Sequence, residues 1–222
     1  IPLDDVMVDL ETEISLHRLP VDDALKIVRN AYAFLRDISD IRIDGDEVVI
    51  ECPDLKAGKR ESGQRLHEKG TAAAREGDYI KAIDLFQRAT QDLPDYADAR
   101  RNLAMAHLEA GHVAEAKRHL RELLCIAPTD QWGLLLTANL FMKHIKNRPL
   151  AARFYDRAYS LDPTDPHILT SYAALLLEMG KVQEAQAMFG ESIVAAPEYP
   201  NAYLGLAMLL LKQGNAAQCI AV

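Results

Sequence analysis

GDYIKAIDLFQRATQDLP, residues 77–94, returns in altered lettering as GHVAEAKRHLRELLCIAP at 111–128 and as GKVQEAQAMFGESIVAAP at 180–197. Between these two, KNRPLAARFYDRAYSLDP at 146–163 keeps the register, with Lys146 in place of the leading glycine. Pro94, Pro128, Pro163 and Pro197 are 34, 35 and 34 residues apart, and Ala82, Ala116, Ala151 and Ala185 keep the same three intervals. Proline makes up about 5% of residues in proteins at large, so three more prolines in register with the first have odds on the order of 10⁻⁴. The period decides the fold class.

Each column has a physical role. Four residues after each alanine stands a ring or a leucine: Phe86, Leu120, Tyr155 and Phe189. Residues four apart share a helix face, so each pair marks one packed face. Small residues at Gly70, Ala104, Ala138, Ala173 and Ala207 let a second helix approach closely. Gly77, Gly111, Gly180 and Gly214 end a first helix, because glycine enters the left-handed conformation cheaply. The prolines end the second helix and open the next connection. The pattern predicts antiparallel helix pairs over 61–222, with turns near Gly77, Gly111, Asn147, Gly180 and Gly214.

A helix-turn-helix unit of 34 residues with these columns resembles the tetratricopeptide repeat. The resemblance covers 61–222 and implies an all-α, right-handed superhelical solenoid. Four full repeats (63–96, 97–130, 131–165 and 166–199) are followed by a partial fifth (200–222). Two departures stand out. Repeat one opens its first helix with Leu66, where repeat two has Arg100. Repeat three carries one inserted residue between Ala138 and Ala151, which lengthens the expected turn around His144–Pro149. The fifth repeat breaks off at Val222, and the expectation is a natural protein that continues.

Residues 1–60 lack the period. Leu3, Val6, Met7, Leu10 and Ile14 fall on one helical face, and after Pro20 a second face gathers Val21, Ala24, Leu25, Val28, Tyr32 and Leu35. Ile41 and Ile43, then Val48 and Ile50, alternate with polar neighbours around Asp44-Gly45-Asp46, which reads as a β-hairpin. The segment is therefore a small α+β module of two helices and a hairpin, joined to the repeats by a linker over 54–62. End repeats need a polar cover, so the module is expected to shield the first repeat around Leu66.

The net charge is −8; residues 1–60 hold 14 acidic and 8 basic side chains, and the remainder is close to balanced. No basic excess of the kind that binds nucleic acid is present. No apolar run reaches the roughly 18–20 residues of a membrane span. Cys52, Cys125 and Cys219 are isolated, without CxxC spacing, and favour a reducing, cytoplasmic setting. The chain opens Ile1-Pro2-Leu3 with neither a signal peptide nor an initiator Met, which leaves a removed leader as an expectation.

Catalytic and metal signatures are missing from the lettering. Gly58-Lys59 lacks the upstream glycine and following Ser or Thr of a phosphate loop. His107 and His112 straddle Gly111, and with His119 they read as solvated surface rather than metal ligands. The expectation is no catalytic residue, no metal and no cofactor. The resemblance implies a concave groove lined by the first helix of each repeat, and in one subset of the family that groove clamps a chaperone's C-terminal carboxylate. In one register the clamp positions are His67, Thr71, Asn102, Trp132 and Leu136; one repeat later they are Arg101, Met105, Leu136, His167 and Ser171. One of five matches in either register, so chaperone tails are not the expected ligand.

What stands there is mostly apolar. The groove candidates are Arg101, Asn102, Met105, Leu108, Trp132, Leu135, Leu136, Met142, Leu177 and Met208, with Leu204 and Leu211 alongside. Trp132 and Met142 are expected to point away from the small-residue column at Ala138, and Phe141 towards it. One reading places these residues in core between repeats; the other makes them an adaptable groove for a partner peptide or helix. The expected function is a protein-interaction scaffold. The alternatives are a regulatory or targeting segment of a larger enzyme, or a homo-oligomer that fills the groove with its own copy.

Overall fold

A computed structural model describes residues 19–33, 40–45, 47–51 and 57–214. The chain divides into two compact units, Ile1–Gly133 and Leu134–Val222. Helix α1 spans Val21–Ala31, strands β1 and β2 span Asp40–Asp44 and Glu47–Glu51, and α2 to α5 span Ala57–Arg75, Tyr79–Asp92, Ala97–Glu109 and Val113–Ile126. Helix α6 (Gln131–Leu140) runs into a wider π turn at Phe141–Ile145; α7 to α10 are Arg148–Leu161, Pro166–Glu178, Val182–Ala195 and Pro200–Lys212. No strand interrupts 63–214.

In the first unit the alanine and ring columns pack as the period implies. Ala82 and Phe86 of α3 are buried, and a Cβ added at Gly70 of α2 would lie 2.7 Å from the Phe86 ring. The core extends through Ala73, Leu103 and Ala106. Gly77 adopts φ +80°, the left-handed conformation that L side chains resist. Asp78 then starts α3 by accepting the Lys81 backbone N–H at 3.0 Å. Residues 57–62, read as linker, are helical instead. Ser62 Oγ donates to Asp92 Oδ2 at 2.7 Å, and Gly63 lies under Leu93, which ties the second turn of α2 to the end of α3.

The expected hairpin forms, with Ile41 opposite Ile50, Ile43 opposite Val48 and Gly45 at φ +57°. Its apolar face closes on Ala24, Val28 and Tyr32 of the α1 region. The helix read from Leu3 to Ile14 and the position of Leu35 lie outside the described residues. Among the described residues, the module's core gathers on a different helix from that of Leu66. It includes Cys125 and Ile126 at the end of α5, and the Tyr32 hydroxyl donates to the Cys125 carbonyl. The exposed side of α2 carries Arg60, Glu61, Gln64, Arg65, Glu68 and Lys69, a polar end of its own.

The second unit repeats the packing: Ala151 with Tyr155 and Ala185 with Phe189 are buried. The inserted residue does not lengthen the turn. The helix itself widens, and the Asn147 N–H reaches back six residues to the Phe141 carbonyl at 2.9 Å, whereas Lys181 reaches five residues to Leu176 at 2.9 Å. Lys146 takes φ +63°, the only described non-glycine with positive φ, at the column where the other turns have glycine.

Two outcomes follow from this packing. Lys146→Gly relieves the left-handed cost, so thermal melting should show it more stable by about 1 kcal/mol; an unchanged or lower melting temperature would contradict the strain. Burial pushes the Cys125 thiol up to about 12, so in a chain with Cys52→Ser and Cys219→Ser it should resist a thiol reagent. Deleting residues 1–60 should expose it to rapid modification, and continued protection would show that the module does not cover α5.

Candidate functional site

The first-of-pair helices of the first unit carry a polar network. His67 of α2 sits between two partners: its Nδ1 lies 3.1 Å from the Tyr96 hydroxyl, and its Nε2 lies 2.9 Å from Asn102 Nδ2 of α4. Asn102 can only donate from Nδ2, so Nε2 is the acceptor and Nδ1 carries the proton that Tyr96 receives. Burial holds His67 below the usual imidazole range, against the pull of Asp98. One residue before Asn102, Arg101 donates to both Asp98 and Asp130. Asp130 in turn accepts the Gly133 N–H at 2.6 Å in the first turn of α6. These bonds set where α6 begins relative to α4, and Trp132 is the second residue of α6.

The ten groove candidates separate by exposure. Met105 (41%), Trp132 (44%) and Met208 (60%) are open to solvent. Arg101, Asn102, Leu108, Leu136 and Leu177 are half-buried, the first two already engaged in the network above. Leu135 (5%) and Met142 (8%) are buried, so neither presents a surface. Met142 corrects the direction expected for it. It stands four residues after Ala138, on the same packed side, and its sulfur accepts the Tyr155 hydroxyl at 3.7 Å. Phe141 is buried as expected, stacked on Phe154 with ring centres 5.7 Å apart.

The interior of repeat two departs from the sequence reading. His107 and His119, expected on the solvated surface, are buried and stacked with ring centres 5.4 Å apart. His107 Nδ1 lies 3.4 Å from His112 Nδ1, and His119 Nδ1 lies 3.2 Å from Glu122 Oε2. Glu122 is paired with Arg100, whose other nitrogen donates to the Pro94 carbonyl at 2.8 Å. Burial alone would raise the Glu122 carboxyl; the bond from His119 and the charge of Arg100 outweigh it and hold it below its usual range. A signal was available in the lettering. His107 lies four residues after Leu103 and His119 three after Ala116, both on packed faces, and Arg100 stands in a column for bulky apolar residues. Among the described residues no group of three His, Cys, Asp or Glu side chains is placed to hold a metal.

Models of the tetratricopeptide repeat match the chain over residues 73–140 and 176–222, and a second such model over 154–187. Among curated proteins, the protein O-mannosyl-transferase Tmtc3 of Drosophila melanogaster is 23% identical over 148 residues. That match takes in 66% of this chain but only 16% of the transferase. Among solved structures, PilF of Pseudomonas aeruginosa superposes with a TM-score of 0.65 at 21% identity, covering 73% of this chain and 75% of its own. A thermophilic tetratricopeptide-repeat protein of Thermus thermophilus gives 0.62 at 20% identity, covering 72% and 87%. MamA of Desulfovibrio magneticus RS-1 gives 0.62 at 11% identity, covering 72% and 90%. At such identities the likeness is one of fold.

The histidine cluster has a pH signature. Burial, then the neighbouring His119 and His112, lower the His107 pKa from 6.5 to about 4, with Glu115 opposing and Arg118 assisting. The unfolded chain thus binds a proton that the folded chain refuses. Stability from this group is complete above pH 6.5 and is lost as pH falls towards 4, by about 3 kcal/mol at most. Melting curves across that window should fall more steeply for the wild-type protein than for His107→Gln. Parallel curves would show that His107 is not held neutral.

Proposed function

We propose that this chain, which belongs to the tetratricopeptide-repeat family, is a protein-interaction scaffold that holds a peptide or helix of a partner on its first-of-pair helices. The observation that carries the reading is Trp132. It is the one tryptophan of the chain, and it stands 44% exposed where the column aromatics Phe86, Tyr155 and Phe189 are buried. Aromatic anchors of this kind supply a disproportionate share of interface energy. Met105, in the same unit as Trp132, is an exposed, unbranched side chain that adapts to a partner's shape. Arg101 is occupied by Asp98 and Asp130, so contact on this face is mainly apolar and depends weakly on salt.

A second reading makes the chain a regulatory or targeting segment of a larger enzyme, and the partial match to Tmtc3 favours it. The chemistry then belongs to segments outside these repeats, and a catalytic cluster elsewhere in the complete reading frame would support it.

The scaffold reading is checked by comparing Trp132→Ser with Leu135→Ser. Leu135 is buried, so its replacement should cost about 2–5 kcal/mol. Trp132→Ser should melt close to the wild-type protein and yet lose the partner that the wild-type chain captures and mass spectrometry identifies. Equal destabilisation by the two changes, or undiminished capture by Trp132→Ser, would overturn the scaffold surface.

A further inference from the structure

The turn between α6 and α7 breaks three local rules at once. Its helix widens into a π turn, a feature enriched at functional sites. Lys146 occupies the left-handed position that glycine fills in four other turns. The segment also concentrates Lys143, His144, Lys146 and Arg148, all exposed, in a chain of net charge −8. Exposed Ile145 lies among them.

An ordinary explanation covers only part of this. Lys143 and His144 end a helix, where the dipole favours cations. Arg148 has the opposite placement, in the first turn of α7, where a cation is disfavoured; α5 has Glu115 and α9 has Glu184 within their first turns, while α3 has Lys81. Packing does not repay Arg148, which pairs with the exposed Glu178 at 3.1 Å. Such an exposed pair adds little stability. Lys146 is exposed on strained backbone. Residues that cost local stability without a packing gain mark places where something outside the fold is recognised.

We propose that this turn is a second docking surface, distinct from the first-of-pair helix face, and that its occupant is an acidic segment of a protein partner bearing an apolar side chain. Charge complementarity selects the acidic ligand, and exposed Ile145, with Met179 on the neighbouring α8–α9 turn, supplies the apolar contact. A nucleic acid or anionic membrane is less well matched. Either would need a longer basic track, and Glu178 already sits against Arg148 in this one.

The test uses the full chain and a short fluorescein-labelled peptide of glutamates interrupted by leucines, followed by fluorescence anisotropy. Binding should weaken as salt rises, and Lys143→Glu with Arg148→Glu should weaken it by about tenfold or more. Arg65→Glu with Lys69→Glu makes the same charge change on α2 and should leave binding unchanged. Lys146→Gly should bind more weakly while melting higher, a combination that loss of folding does not produce. The proposal is overturned if the peptide does not bind, if both double variants lose affinity equally, or if duplex DNA or phosphatidylserine vesicles bind this turn more tightly. It is also overturned if Trp132→Ser abolishes peptide binding, since the peptide would then occupy the helix face; failure of that face to bind its own partner leaves the turn unaffected.

Discussion

The structure depends on how closely two helices can approach. At Gly70 the backbone of α2 lies so near the Phe86 ring that an added Cβ would sit 2.7 Å away, and at Gly205 a Cβ would meet the Phe189 ring at 2.2 Å. Real Cβ atoms do not pack at such distances, so glycine at these two positions is a steric requirement, while alanine at the other positions of the small-residue column keeps the approach close. Once a small residue faces a ring, the alanine four residues earlier must face the same way. The turn then has to reverse the chain within a few residues, which calls for left-handed backbone at Gly77, Gly111, Gly180 and Gly214. The 34-residue period is the sequence record of that chain of constraints.

Repeat two meets the same geometry with a charged interior. Arg100 and Glu122 are both buried, and the ion pair between them must offset the loss of water around two charges. Such a pair contributes little net stability compared with apolar residues of similar size, yet losing one partner strands the other. Its value here is positional. Arg100 binds the Pro94 carbonyl as well as Glu122, so it ties the connection before α4 to the middle of α5. Three residues beyond Glu122, the Cys125 carbonyl receives the Tyr32 hydroxyl. The N-terminal module therefore docks on the helix whose placement that pair holds.

Fold and turns were legible in the lettering because they obey a period that each repeat restates. The hairpin was legible for a similar reason, since Ile41, Ile43, Val48 and Ile50 alternate about one glycine turn. Readings that needed a non-local partner fared differently. Nothing near Tyr32 names Cys125, 93 residues away. The burial of His107 and His119 turns on Glu122 and Arg100 arriving beside them, which the period does not encode. Met142 was misdirected although it stands four residues after Ala138, a spacing that shares a helix face and agrees with its burial. Of the candidate surface, Trp132 and Met105 lie open as an amphipathic reading requires; Leu135 shows that helices apolar nearly all round do not reveal which side a neighbour covers.

These exceptions separate into two kinds, and the separation bears on function. Arg100 violates an apolar column but gains an ion pair and a carbonyl. Met142 leaves its expected face but gains the Tyr155 hydroxyl and burial. Each is repaid inside the fold, so each is explained by packing. Lys146 and Arg148 are different, because left-handed backbone under a lysine and a cation at a helix N-terminus both cost free energy, with only an exposed pair to Glu178 in return. A period alone cannot tell the two kinds apart, since both appear as a missing consensus letter. Only the surroundings of each residue do, and they leave the turn of repeat three as the departure for which the fold itself offers no compensation.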